Sequence, residues 1–191
     1  LFIQNKENLG VVKTLNKALK RASGKYLNFI ACDDIYLTKK VENQVKIFEQ
    51  LNHDYAAIYS DAYIIDNYGK YNYGTQISRK QINKPPSGNI YEDLIKKDNF
   101  IPALSVLYKF SVIEELLFFD ENFLYGDYDL ILRLSKKFKI YFSKEIDVCY
   151  RLHQTNMNYN LDRPMFLDSK IKMLFKQLNI ENSNLEIGIV L

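Results

Sequence analysis

Residues 11–34 read VVKTLNKALKRASGKYLNFIACDD, and this stretch decides the fold. Val11, Val12, Leu15, Ala18, Leu19 and Ala22 recur at helical spacing and form one apolar face. Arg21 in the last turn and Gly24 just beyond it are helix stop signals. YLNFIA (26–31) then reads as a short buried strand running into two adjacent carboxylates, Asp33 and Asp34. Neighbouring negative charges repel each other and are costly to desolvate, so a pair at a strand end needs a reason.

Working outward, KKVENQVKIFEQL (39–51) reads as a second helix with Val41, Val45, Phe48 and Leu51 on its inner face. YAAIYSD (55–61) is a second strand, ending at Asp61. Helix, strand, helix, strand argues for an α/β fold with a largely parallel sheet. Residues 64–89 are rich in Gly, Asn, Pro and Tyr and predict a strand-turn excursion followed by a loop. Further on, IYEDLIKK (90–97) predicts a short helix and IPALSVLYK (101–109) a strand. SVIEELL (111–117) predicts a helix opened by a capping box from Ser111 and Glu114, and YDLILRLSKKF (128–138) a longer helix. KIYFS and IDVCYR are strands. DRPMFLDSKIKMLFKQL (162–178) is an amphipathic helix introduced by Asp162 and Pro164, with Phe166, Ile171, Leu174 and Leu178 apolar.

The 191 residues suit one domain with an added tail, and 47% hydrophobic content suffices for a core. A net charge of +3, from 26 basic and 23 acidic side chains, is too balanced to argue for nucleic-acid binding, and the lysines are spread over helix faces. Cys32 and Cys149 form no CxxC pair, so neither a disulfide framework nor a zinc site is expected. No apolar run approaches the about 20 residues of a membrane span. The first ten residues, LFIQNKENLG, lack both a secretory-signal pattern and an initial Met.

Asp33, Asp34 and Asp61 all fall at the carboxyl ends of predicted strands, where open parallel sheets bind ligands. Two readings stand for the pair. Together the carboxylates can share a hard cation such as Mg²⁺, which completes its shell with water and substrate phosphates. Separately, one caps the next helix and the other makes an Asx-turn, the reading that residue chemistry alone favours.

Residues 7–45, ENLGVVKTLNKALKRASGKYLNFIACDDIYLTKKVENQV, resemble the middle of a family-2 glycosyltransferase domain of the GT-A fold. The matching pattern is Asn8 and Gly10, Asn16, Ala18 and Leu19, Gly24 to Tyr26, then Asp33 and Asp34 in place of a DxDD cluster. It continues in YSDAYIID (59–66), NFIPALSVLYKFSVIEE (99–115), FDENFLYGDYDLILRLS (119–135) and YRLHQTNMN (150–158). The resemblance implies a nucleotide-diphospho-sugar transferase with a mixed, Rossmann-like sheet flanked by helices. Residues 1–158 would form a partial domain carrying the metal and acceptor portions, and 159–191 a C-terminal helical tail. A hexosyltransferase-like activity would pass a sugar to a glycan or lipid-linked saccharide acceptor in surface-polysaccharide synthesis. The expected setting is cytoplasmic, with peripheral association at the inner face of a membrane as an option, and without nucleic acid.

By the same resemblance, Asp33 and Asp34 would hold Mg²⁺ or Mn²⁺ and the donor diphosphate, with His153 contributing. Asp127, with Asp129 the weaker candidate, would be the base that takes the acceptor's proton. Asp127 also reads as a simple helix N-cap. A lone His such as His153 is more often a hydrogen-bonded surface residue, and His53 reads as a loop residue. The sequence departs from the family in three ways. The opening strand-helix-strand portion is missing. Ala31 replaces the first Asp of the cluster. Gly126 and Leu117 stand where a Glu and a Gly are usual. The chain therefore reads as the C-terminal part of a transferase domain, or alternatively as a non-catalytic remnant or binding module. Either way, YLNFIA should have an uncovered edge.

Overall fold

The structure is a computed structural model that describes residues 2–124, 126–156 and 163–177. Helix α1 (Val11–Leu19) leads to β1 (Tyr26–Asn28) and β2 (Ile35–Tyr36). Then follow α2 (Lys40–Gln50), β3 (Tyr55–Ser60), β4 (Tyr63–Ile65), β5 (Tyr71–Thr75), α3 (Gln76–Arg79) and α4 (Tyr91–Lys97). A 3-10 turn at Ala103–Ser105 precedes β6 (Leu107–Lys109), α5 (Phe110–Glu115), α6 (Gly126–Lys137), β7 (Lys139–Ser143), β8 (Val148–Arg151) and α7 (Arg163–Gln177).

The strands form two four-stranded sheets, ordered β1-β6-β3-β7 and β2-β8-β4-β5. Only β3–β7 and β4–β8 are parallel; the other four pairings are antiparallel. The sheets are mixed, as the family resemblance implied, and not largely parallel, as the alternation of elements suggested. The reason is β6, which inserts antiparallel between β1 and β3 so that they do not pair, while β2 joins the other sheet.

Strand β1 is half as long as the apolar run YLNFIA. Its partner β6 is only three residues long and gives way to the 3-10 turn beyond Leu107, so the ladder stops at Asn28. The Asn28 side chain then bonds Val106 O.

The main core packs Tyr59, Phe100, Ile113, Leu130 and Ile140 between the first sheet and α4, α5 and α6. Helix α2 turns an unexpected face inward. Lys40 and Gln44 are buried with Phe48, while Val41 is 50% exposed. Buried polar groups need partners, and these have them: Lys40 Nζ donates to Gln44 Oε1 at 2.7 Å, and Gln44 Nε2 to Ser105 O at 2.8 Å. Lys40 also lies over the Tyr36 ring, 4.6 Å from its centroid.

The capping box expected at Ser111 is not formed: α5 starts one residue earlier, with Lys109 as N-cap and no side-chain cap. In α7 the inward residues are Ser169, Met173 and Gln177, with Leu174 packed on the core and Ile171 half-buried. Asp162, Leu178 and the Phe166 side chain of the expected helix lie outside the described residues.

Candidate active site

The loop after β1 carries Asp33 and Asp34 into a turn closed by Asp34 N–H on Ala31 O. Pairing of β2 with β8 brings this turn against the segment after Arg151. Asp33 Oδ2 meets His153 Nε2 at 2.8 Å, although 120 residues separate them. The other ring nitrogen, Nδ1, faces Thr155 Oγ1 at 2.8 Å. Asn156 Oδ1 accepts from His153 N at 2.6 Å, and Asn156 Nδ2 donates to Arg151 O at 3.1 Å, which fixes the His153 loop.

The two aspartates have different surroundings. Asp34 Oδ1 accepts the Arg151 N–H at 2.9 Å, so part of its acceptor capacity is used within the fold. Burial above all pushes its carboxyl up to about 6; the Asp33 charge adds to this, and the Arg151 N–H and the charges of Arg151 and His153 oppose it. Arg151 is itself a hub. Its Nε donates to Asp33 O at 2.7 Å and its Nη1 to Asp66 O at 2.7 Å, tying the acidic turn to the β4–β5 hairpin. Asp61 does not join the cluster. Its Oδ1 accepts from Ala62 N at 2.7 Å and from Ile77 N at 2.9 Å, holding the start of α3. His53 is an exposed loop residue.

Asp127 stands in the first turn of α6 and lines a cavity of about 870 Å³. Asp34 and Ala31 line the same cavity from the opposite side of the sequence, with Lys80, Asp98, Lys170 and an apolar wall that includes Phe100, Phe123 and Met173. Burial lifts the Asp127 carboxyl above the usual range, against the pull of the Tyr128 N–H, its own N–H and the Lys80 charge. Asp129 is fully buried and points elsewhere. Arg133 Nε donates to its Oδ2 at 2.7 Å and Gln177 Nε2 to its Oδ1 at 3.0 Å. Arg133 in turn donates to Leu116 O and Phe118 O. Asp129 thus anchors the turn before α6.

Sequence reasoning passed over Arg151, although it stands two residues before His153 in YRLH, and Lys80 carried no motif at all. Asn16, noted only as part of a pattern, is a buried pin: its Nδ2 donates to Phe119 O at 2.9 Å and its Oδ1 accepts from Phe119 N at 3.1 Å.

The donor set can be tested for a divalent cation. Among the described residues no group of three or more His, Cys, Asp or Glu comes together as a metal site. Two groups do converge, Asp33 Oδ2 and His153 Nε2. In the contact as it stands Nε2–H donates to Asp33 Oδ2; a cation between the two would take the place of that proton, with Thr155 Oγ1 holding the imidazole proton on Nδ1. An oxygen and a nitrogen ligand fit a cation that takes its remaining ligands from water and phosphate.

In fold, the chain is similar to the mannosyltransferase PcManGT from Pyrobaculum calidifontis in complex with GDP-Man and Mn²⁺ (TM-score 0.60, 11% identity, 96% of this chain and 47% of that one). It is also similar to S. aureus TarS 1–349 in complex with UDP-GlcNAc (TM-score 0.57, 12% identity, 91% and 48%). The architecture is therefore that of GT-A glycosyltransferases. The family model "Glycosyl transferase family 2" matches residues 1–117, and the chain belongs to that family.

Among relatives, an uncharacterized glycosyltransferase of Rickettsia bellii is 32% identical over 150 residues, 78% of this chain and 21% of that protein. One from Methanocaldococcus jannaschii is 30% identical over 166 residues, 74% and 56%. The Escherichia coli UDP-Glc:alpha-D-GlcNAc-diphosphoundecaprenol beta-1,3-glucosyltransferase WfaP is 27% identical over 185 residues, 96% and 64%. The chain thus spans from 21% to 64% of the length of these three relatives. Among the described residues, no helix is long and apolar enough to cross a membrane.

Proposed function

We propose that this chain is the metal-side and acceptor-side part of a glycosyltransferase that moves a sugar from a nucleotide-diphospho-sugar to an acceptor hydroxyl. The observation that carries the reading is the shared cavity: Asp34 of the acidic turn and Asp127 of α6 line one space of about 870 Å³. A donor held at the acidic turn and an acceptor in the cavity would meet between them. Asp33 and His153 would hold Mg²⁺ or Mn²⁺, whose charge offsets that building on the departing diphosphate. Asp34 shapes the turn through Arg151. Asp127 takes the proton of the attacking hydroxyl; burial makes its carboxylate a stronger base than a solvated Asp, and the helix N–H groups and the Lys80 charge limit that rise. Asp129 is left to its structural role. The UDP-Glc donor and diphosphoundecaprenol-linked acceptor in the name of the E. coli relative, and the GDP-Man and Mn²⁺ bound by the P. calidifontis neighbour, support the reaction class.

The test is donor turnover by the full-length protein with Mn²⁺. Asp127→Asn should lower kcat by about 10²–10⁴-fold at unchanged fold. Undiminished transfer would remove Asp127 as the base.

A second reading, a binding module without catalysis, draws on Ala31 and Gly126. A side chain at 126 has no room, because a Cβ there would lie 2.9 Å from Phe119 Cδ1. Any metal-dependent donor turnover by the 191-residue chain would eliminate that reading.

A further inference from the structure

The β4–β5 hairpin carries aromatic rings that its own fold does not use. Gly69 N–H bonds Asp66 O at 3.1 Å and Asp66 N–H bonds Lys70 O at 3.1 Å, which closes the tip. Asp66 Oδ1 accepts from Tyr68 N and from Lys70 N, both at 2.9 Å, and Gly69 takes the left-handed φ of 82 that reverses the chain. Backbone and Asp66 thus set the turn. Tyr68 is left 95% exposed at the tip and Tyr73 48% exposed on β5. The ring pair of the hairpin is Tyr63 with Tyr71, 5.4 Å apart, and includes neither of them.

Both tyrosines line a groove of about 500 Å³ between the hairpin and the loop of residues 152–155, a size suited to a small ligand. It shares no lining residue with the cavity that holds Asp127. Its walls are already fixed. Arg151 Nη1 donates to Asp66 O at 2.7 Å and to Asn67 O at 3.1 Å on the hairpin side. Asn156 Oδ1 accepts from His153 N on the loop side. A groove held in this way costs little ordering when it is filled.

The lining selects the chemistry. No Lys or Arg lines the groove, so a phosphate or carboxylate ligand would meet Asp66 with no strong cation to offset it. What the groove offers is two tyrosine rings and the carboxamides of Asn67 and Gln154, whose side chains make no hydrogen bond among the described residues. Each free carboxamide presents a donor and an acceptor side by side, which matches neighbouring hydroxyls, and an aromatic face matches a patch of C–H groups. A sugar ring has both features. We propose that this groove is a carbohydrate site separate from the Asp127 cavity, in which an uncharged sugar ring stacks on Tyr68 and Tyr73 and bonds Asn67 and Gln154 through its hydroxyls. His153 lines the groove and meets Asp33 Oδ2 at 2.8 Å, so the bound ring lies next to the candidate metal pair. The site goes beyond the transfer reading and does not depend on it.

The experiment is calorimetric titration of the full-length protein, without donor or metal, with three probes: cellotriose, chitotriose and trigalacturonic acid. At least one of the two neutral trisaccharides should bind with a Kd of about 1 mM or tighter, and the anionic one about tenfold more weakly than it. Tyr68→Ala and Tyr73→Ala should each weaken that binding by about tenfold, the scale of one lost aromatic contact. Tyr68→Phe should keep it, because the ring remains. Tyr68 is so exposed that its Ala variant should unfold at the wild-type temperature, so a loss reads the contact and not the fold. The proposal is overturned if neither neutral probe binds, or if trigalacturonic acid binds as tightly as they do. It is also overturned if both Ala variants bind like the wild type, which would put the sugar elsewhere, as in the Asp127 cavity. Binding with the expected pattern in a protein that shows no transfer would leave this site standing and remove the transfer reading. Transfer without such binding would do the reverse.

Discussion

Gly126 stands where the resemblance implies a Glu beside the proposed base, and packing accounts for the glycine. Its Cα sits so close to α1 and the turn before α6 that a Cβ would meet Phe119 Cδ1 at 2.9 Å and Val12 Cγ2 at 3.2 Å. Gly126→Ala should therefore destabilise by about 1–3 kcal/mol, despite the better helix propensity of Ala. A lowered thermal midpoint checks this, and a raised one would show that Phe119 moves aside freely. Lys40 is a second residue whose role is spatial. It is 1% exposed, and burial, opposed by the Asp147 charge, pushes its ammonium down to about 8. The unfolded chain, with an ordinary Lys near 10.5, binds more protons than the fold between those two values, so stability should rise as pH goes from about 8 to 10.5. Thermal unfolding from pH 7 to 10.5 should show that rise, and Lys40→Met should flatten it. An identical slope in the variant would assign the effect to another group.

Among the elements, the turn between α5 and α6 holds a local conflict. Leu117 and Phe118 both have left-handed backbones, φ 59 and φ 62, and Leu117 is 82% exposed. The family's usual glycine at 117 is the residue this conformation prefers, because a Cβ in that region costs about 1–2 kcal/mol. Here the turn is held instead by Arg133, which bonds the carbonyls on either side of Leu117 and is itself oriented by buried Asp129. Leu117→Gly should stabilise by about 0.5–1 kcal/mol, the relief of strain exceeding the added freedom of the unfolded chain. A chemical-denaturation midpoint that falls would show that Leu117 contributes packing its exposure hides. The same elements show how far local patterning reaches. Stop signals and 3.6-residue spacing located α1, α2, α4 and α6 within a few residues. On α2 the expected inner face holds for Val45, Phe48 and Leu51 but not for Val41, which is exposed, because Lys40 and Gln44 turn inward and Gln44 bonds the Ser105 carbonyl from 61 residues away.

For the whole molecule, the first sheet ends at β1, which has β6 on one side and no strand on the other among the described residues. Ile30, just past it, and Phe2 are exposed. An unpaired edge beside apolar surface favours association with other chains. The isolated 191-residue chain should therefore self-associate at micromolar concentration in sedimentation velocity; a monodisperse monomer with a sharp thermal transition would contradict this.

At this scale the division between sequence and structure is clear. Helices and the family pattern follow from the sequence alone, because periodicity, stop residues and motif order are local properties. Of the expected strand-end carboxylates only Asp61 directly follows its strand, since β1 stops at Asn28 and Asp33 and Asp34 lie in the turn before β2. Only the tertiary structure decided what the carboxylates do. Pairing of β2 with β8 sets Asp33 against His153 and leaves Asp34 to the Arg151 backbone. Packing of α6 against α7 ties up Asp129 and leaves Asp127 facing the cavity. Those contacts join residues tens to over a hundred positions apart, and no local spacing encodes which long-range partner a carboxylate will meet.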